Sequence, residues 1–216
     1  MLEKFRNKFI VLEGYEEAGK TSVGKLLVDH LNKNDIPAIF SFQPGDDWGP
    51  LAPLMRSLCK DKRLNLCSYA NLFAFLLDRA ECIDKIVRPA LKEGKTVVLD
   101  RYTYSTIAYQ LFGKELWKEI NEQVGNPSAY ALFKWFKNPY PDVSPDSVLY
   151  FPMKVGNRKN NKNDLFDNEV SDFENRVKGA YSDMLHEEDN WYEIIAGDSV
   201  EATLEKIFKV ADVFWK

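Results

Sequence analysis

The sequence carries no excess of positive charge. Its 29 Lys and Arg residues stand against 33 Asp and Glu, a formal net charge of −4. That balance argues against general nucleic-acid binding and leaves room only for a local basic pocket. Cysteine is scarce: Cys59, Cys67 and Cys82 form an odd count with no metal-ligand spacing. They are expected as reduced thiols of a cytoplasmic protein, not as a disulfide framework or a zinc site. The opening run MLEKFRNKFIVLEG holds no long apolar stretch, so neither a secretory signal nor a membrane span is expected. Internal repeats are lacking too, as is any linker long enough to divide the 216 residues. That length suits one α/β domain with a full core.

Short apolar runs alternate with helical periodicity. KFIVLEG reads as a strand ending at Gly14, after which Val23, Leu26, Leu27 and Leu31 recur at helical spacing until Pro37. AIFSFQ (38–43) reads as a strand stopped by Pro44-Gly45, and a helix is expected around 50–60. A longer helix runs from about Ser68 to Glu93, with Gly94 as its stop. TVVLD (96–100) and SVLYF (147–151) are continuous apolar strands, the pattern of burial on both faces of a parallel sheet. Residues 102–137 read as mainly helical, and NPYPDVSP (138–145) as a proline-rich connection. A helix over about 169–186, a strand WYEIIA (191–196) and a helix from Val200 to Trp215 complete the chain. Five strands alternating with helices predict a doubly wound α/β fold, a parallel sheet with helices on both faces.

The stretch GYEEAGKT matches G-x-x-x-x-G-K-S/T through Gly14, Gly19, Lys20 and Thr21. Glycines let successive backbone N–H groups turn toward phosphate oxygens, and the helix that starts there adds its positive dipole end. Lys20 would reach the β- and γ-phosphates, and the Thr21 hydroxyl would hold Mg²⁺. ATP is thus expected against Gly14, Tyr15, Glu16, Glu17, Ala18 and Gly19 together with Lys20, Thr21 and Ser22. Asp100, at the tip of a buried strand, is placed to orient the magnesium, and Arg101 to grip a phosphate. DDWG (46–49) and NKND (161–164) resemble guanine-nucleotide signatures, but neither follows a buried strand, which speaks against a GTP-driven switch. Two glutamates within a phosphate cradle remain to be explained.

With these parts in order, the chain resembles the thymidylate kinase family. FIVLEGYEEAGKTS is similar to its phosphate loop, FLLDRAECI to its helix with Phe and Arg four apart, and VVLDRYTYSTIAYQ to its Asp-Arg-Tyr signature. NPYPDVSPDSVLYF and FENRVKGAYSDML also resemble family segments, in the family's order. The resemblance implies a P-loop nucleoside monophosphate kinase that passes the γ-phosphoryl group of ATP to dTMP, with Mg²⁺. It implies that Glu16 accepts from the acceptor's 3′-hydroxyl, which suits an acceptor-only carboxylate. Phe75 would stack on thymine with Arg79 facing the same pocket; Arg56 and Arg101 would clamp the monophosphate. Ser105 and Thr106 would meet the base edge, and Tyr109 would crowd the C2′ side against ribose. Residues 154–168, lysine-rich and polar, would form a mobile lid whose cations Arg158, Lys159 and Lys162 complete the site. A homodimer paired through LCSYANLFAFLL is implied as well.

The chain departs from the family at several points. The usual Arg-Glu-Pro-Gly turn is Phe42-Gln43-Pro44-Gly45, the lid's Asp-Arg pair is Asp164-Leu165, and Pro152 stands where an acid is usual. Two other readings therefore stay open. One is a deoxynucleoside kinase, which needs a general base for a neutral 5′-hydroxyl, a part Glu13 could fill. The other is a nucleotide-binding homologue without turnover.

Overall fold

The structure, a computed structural model, describes residues 2–152 and 165–215. Five strands form one parallel sheet: β1 (Phe9–Gly14), β2 (Ala38–Phe42), β3 (Thr96–Asp100), β4 (Ser147–Phe151) and β5 (Trp191–Glu193). Their order is β2-β3-β1-β4-β5, every pair parallel. The strands are mostly apolar because side chains alternate between two covered faces. Phe9, Val11, Val97, Leu99, Val148 and Tyr150 enter one core. Ile10, Leu12, Val98, Leu149 and Phe151 enter the other. The doubly wound expectation holds.

One face is covered by α1 (Lys20–Lys33) and α9 (Val200–Phe214), whose buried Val23, Leu27, Leu31, Leu204 and Ile207 share that core. Ser199 caps α9 by accepting from the Ala202 N–H. The opposite face carries α3 (Ser68–Cys82), which continues through a π-helical turn at Ile83–Val87 into α4 (Arg88–Lys92). Gly94, at φ 76°, ends that run where the sequence placed the stop. α2 (Ala52–Lys60) packs on α3, and α8 (Leu165–Glu187) packs on the π-helical segment Ile107–Gly113. That segment extends the one-turn α5 (Thr103–Thr106).

Several boundaries differ from the sequence expectation. The helical region 102–137 is interrupted where Glu115 turns left-handed (φ 56°) and again at Gly125 (φ 76°), giving α6 (Leu116–Val124) and α7 (Asn126–Lys137). Helix α8 begins at Leu165, inside the stretch expected as lid; residues 154–164 of that stretch lie outside the described residues. β5 spans three residues, not six. β1 is flanked by β3 on one side and β4 on the other, so the chain reverses direction of travel across the sheet there. The carboxyl ends of β1, β3 and β4 therefore border a crevice of the kind in which α/β sheets hold ligands.

Candidate active site

Gly14 ends β1 at φ 123°, and a Cβ there would stand 2.0 Å from the Phe151 carbonyl oxygen. Only glycine lets the chain leave the sheet so close to β4. The loop closes at Gly19, at φ 88°, whose carbonyl accepts from the Val23 N–H as α1 begins. Lys20 folds beneath the loop, its ammonium donating to the Tyr15 carbonyl. Burial, helped by repulsion from Arg101, lowers the Lys20 pKa to about 8, while Asp100, Glu13 and Glu16 oppose the fall. Glu17, Gly19, Lys20, Thr21 and Ser22 line a cavity of about 270 Å³ here.

From the wall of this cavity the Thr21 hydroxyl donates to Asp100 Oδ2 at 2.5 Å. The other oxygen, Oδ1, is buried without a hydrogen-bond partner among the described residues. A hydroxyl beside a carboxylate with one oxygen unsatisfied is a donor set that fits Mg²⁺, a hard cation that takes oxygen ligands. Among the described residues no group of three or more His, Cys, Asp or Glu could hold a metal.

A second cavity, of about 540 Å³, opens beside the first and is lined by Glu16, Phe75, Arg79, Arg101, Ser105, Thr106 and Tyr109, among others. Seven of the eight residues expected around an acceptor meet there. The two loop glutamates are thereby separated: Glu17 borders the first cavity and Glu16 the second one. The Glu16 carboxylate accepts from Lys60 Nζ at 2.9 Å and lies 4.0 Å from Arg101 Nη2. Lys60 foremost, then Arg101 and Lys20, hold it below the usual carboxylate range.

Arg79 lies at the bottom of the second cavity with all its partners neutral. Nε donates to Gln43 Oε1 (2.9 Å), Nη1 to Thr106 Oγ1 (2.7 Å) and Nη2 to the Tyr102 carbonyl (2.8 Å). Phe75, one helical turn earlier on α3, shares this face. Arg101, left-handed at φ 73°, sets its guanidinium 5.1 Å from the Tyr109 ring and donates to Ser105 Oγ at 3.0 Å. Burial would lower its pKa, but Tyr181, Tyr109, Glu13 and Asp100 raise it well above the ordinary value.

Arg56 is the exception. It is exposed, does not line the cavity, donates to the Pro44 carbonyl at 2.9 Å and lies over the Phe42 ring. Arg158, Lys159 and Lys162 lie outside the described residues. Residues that the sequence reading gave no such place also border the second cavity, Gln43, Lys60 and Lys114 among them. Lys60 follows Arg56 by four positions, the one local sign that both could face the same way.

A family model for thymidylate kinase matches residues 12–207. The thymidylate kinase of Desulfovibrio desulfuricans is 32% identical over 198 residues, which cover 87% of this chain and 86% of that protein. The thymidylate kinase of Protochlamydia amoebophila is 30% identical over 218 residues, 98% of this chain and 95% of that one. The crystal structure of thymidylate kinase from Ehrlichia chaffeensis matches with a TM-score of 0.71 at 25% identity, over 96% of this chain and 99% of that one. With a phosphate loop, an Asp-Arg-Tyr turn and an adjoining second cavity arranged as described, the chain belongs to the thymidylate kinase family.

Proposed function

We propose that this protein transfers the γ-phosphoryl group of ATP to dTMP, giving dTDP and ADP. The observation that carries the reading is the pair of adjoining cavities. One is bordered by the phosphate loop, the other by Phe75, Arg79, Arg101 and Tyr109, and the successive residues Glu17 and Glu16 border one each. The loop backbone and Lys20 hold the ATP phosphates. Thr21 and Asp100 hold Mg²⁺, which when bound neutralises charge on the transferring phosphates. Arg101 holds the acceptor's phosphate, Glu16 accepts from its 3′-hydroxyl, and Phe75 stacks on its base. Arg79 and Thr106 meet the base edge, and Tyr109 excludes a 2′-hydroxyl. Arg56 joins the clamp only after releasing Pro44. Phosphoryl transfer asks for placement and charge neutralisation more than for covalent chemistry, and the cations Arg158, Lys159 and Lys162 supply the remaining charge.

Glu13 weighs against the deoxynucleoside kinase reading. Its carboxylate is wholly buried and accepts four hydrogen bonds, one for each lone-pair site. No site is left to take a proton from a 5′-hydroxyl, whereas a monophosphate acceptor arrives already ionised. Phe73 and Leu77 on α3 and Leu54 on α2 are exposed large apolar residues, consistent with a homodimer formed through these helices. Light scattering at micromolar protein would give twice the 25.0 kDa chain mass if so. The three free thiols and the ATP requirement support a cytoplasmic location for the enzyme.

The test is ADP release from ATP and Mg²⁺ with dTMP, dUMP, dGMP and thymidine in parallel. Release driven by dTMP and hardly at all by thymidine is expected. Release with thymidine alone would move the chain to the nucleoside kinases, and dTMP binding without release would mark a homologue lacking turnover.

A further inference from the structure

Glu13 ends the apolar run of β1 one residue before the phosphate loop, and its side chain has 0% of its surface exposed. A buried carboxylate is costly unless hydrogen bonds replace its water. Here Oε1 accepts from the backbone N–H groups of Tyr102 (2.8 Å) and Ser105 (3.0 Å). Oε2 accepts from the hydroxyls of Ser105 (2.6 Å) and Tyr181 (2.9 Å). All four donors are neutral, so among the described residues the carboxylate belongs to no ion pair. Three of the four bonds go to the segment that directly follows Arg101.

Arg101 itself sits at φ 73°, a backbone conformation that a non-glycine residue keeps only when its surroundings impose it. Ser105 has one hydroxyl proton, and the 2.6 Å contact gives it to Glu13 Oε2. A lone pair of the same oxygen then accepts from Arg101 Nη1 at 3.0 Å. Glu13 therefore fixes the backbone on the far side of Arg101 and, through Ser105, orients its guanidinium. Ser105 is among the residues expected at the base edge, yet its hydroxyl is turned to this relay.

We propose that Glu13 is a positioning residue for the acceptor's phosphate: acting through Ser105 and the Tyr102 amide, it holds Arg101 in the orientation that meets that phosphate. The inference rests on Arg101 being the cation for the acceptor phosphate, as in the reading above. It makes Ser105 part of phosphate binding and not of base selection. The ligand class concerned is any nucleoside monophosphate that fits the second cavity, since the relay reads charge and not the base.

Calorimetric binding of dTMP and of thymidine isolates what the phosphate contributes, because the two ligands differ only there. The proteins are wild type, Glu13→Gln, Ser105→Ala and Arg101→Ala. A charge-assisted hydrogen bond is worth roughly tenfold or more in affinity. Glu13→Gln and Ser105→Ala should each lower the dTMP-to-thymidine affinity ratio about tenfold, with thymidine and ATP affinities within about twofold of wild type. Arg101→Ala should lower the ratio at least as far. Ser105→Ala should also leave the preference for dTMP over dCMP unchanged. If Glu13→Gln weakens thymidine, dTMP and ATP alike, Glu13 is only part of the scaffold and the proposal fails. It fails too if the ratio survives in Glu13→Gln and Ser105→Ala but drops in Arg101→Ala. A ratio unchanged in Arg101→Ala would remove the underlying assignment of Arg101, and the inference with it. Should Glu13→Gln not fold by circular dichroism, Ser105→Ala decides by the same criterion.

Discussion

Affinity for ATP should fall as the pH rises above 8, because the phosphate loop closes over a lysine whose charge is weakly held. Lys20 is buried, and that burial, with repulsion from Arg101, brings its pKa to about 8 in the free protein. A polyphosphate seated in the loop favours the ammonium, so the bound pKa is higher. The apparent dissociation constant then scales as one plus the ratio of neutral to charged lysine. That factor is about 1.1 at pH 7, about 2 at pH 8 and about 11 at pH 9, a tenfold loss or ~1.4 kcal/mol overall. The Cys59 thiol of the second cavity is pushed up to about 12 by burial, and burial also raises the Tyr109 phenol, so neither titrates in this window. Calorimetry with a non-hydrolysable ATP analogue, at constant ionic strength and excess Mg²⁺, measures the effect. Lys20→Met should bind more weakly at pH 7 and vary little with pH. Stability of the free protein should move the other way. The folded-state pKa lies below the ordinary 10.5, so between about 8 and 10.5 the unfolded chain keeps a proton that the folded one has lost. Stability from this group therefore rises with pH across that window. Wild-type affinity that stays flat to pH 9, or a decline that persists in Lys20→Met, would refute the reasoning.

Three further outcomes are expected. Asp100→Asn replaces the buried carboxylate that faces Thr21, so the Mg²⁺ concentration giving half-maximal rate should rise on the order of tenfold, read from metal titrations at saturating nucleotide. Gly24→Ala would put a Cβ 2.6 Å from Phe40 Cε2 and 2.8 Å from Leu12 Cδ1. Overpacking of about 1–3 kcal/mol should outweigh the ~1 kcal/mol gain in helix propensity, and calorimetric Tm should drop by a few degrees. Tyr109→Ala opens the second cavity beside Arg101 and should lower the preference for dTMP over its ribose counterpart by roughly tenfold in kcat/KM, whereas Tyr109→Phe should keep it.

What the sequence made legible is what local physics decides. β1, β3 and β4 announce themselves because a strand covered on both faces reads as a near-continuous apolar run. The phosphate loop is equally local, its glycines demanded by the approach to Phe151 and by the start of α1. β5 is shorter than its apolar run suggests because it lies at the sheet edge, and Ile195 is 64% exposed beyond its end. The breaks at Glu115 and Gly125 were hidden by apolar residues that keep helical spacing on either side of them. The second cavity draws on β1's loop, α3 and residues 101–110, parts brought together only by strand order, so resemblance and not spacing pointed to it. Side-chain direction was not readable at all. Arg56 turns to Pro44, Ser105 turns to Glu13, and Glu13, read as a conceivable base, is instead fully engaged.

The most direct test of the account follows the phosphoryl group itself. ATP labelled at the γ-position is incubated with Mg²⁺, dTMP and the protein, and the label is located by chromatography of the nucleotides and of the protein. Label appearing in dTDP, with none retained on the protein, is the predicted result. Label on the protein, or remaining in ATP despite bound dTMP, would contradict it.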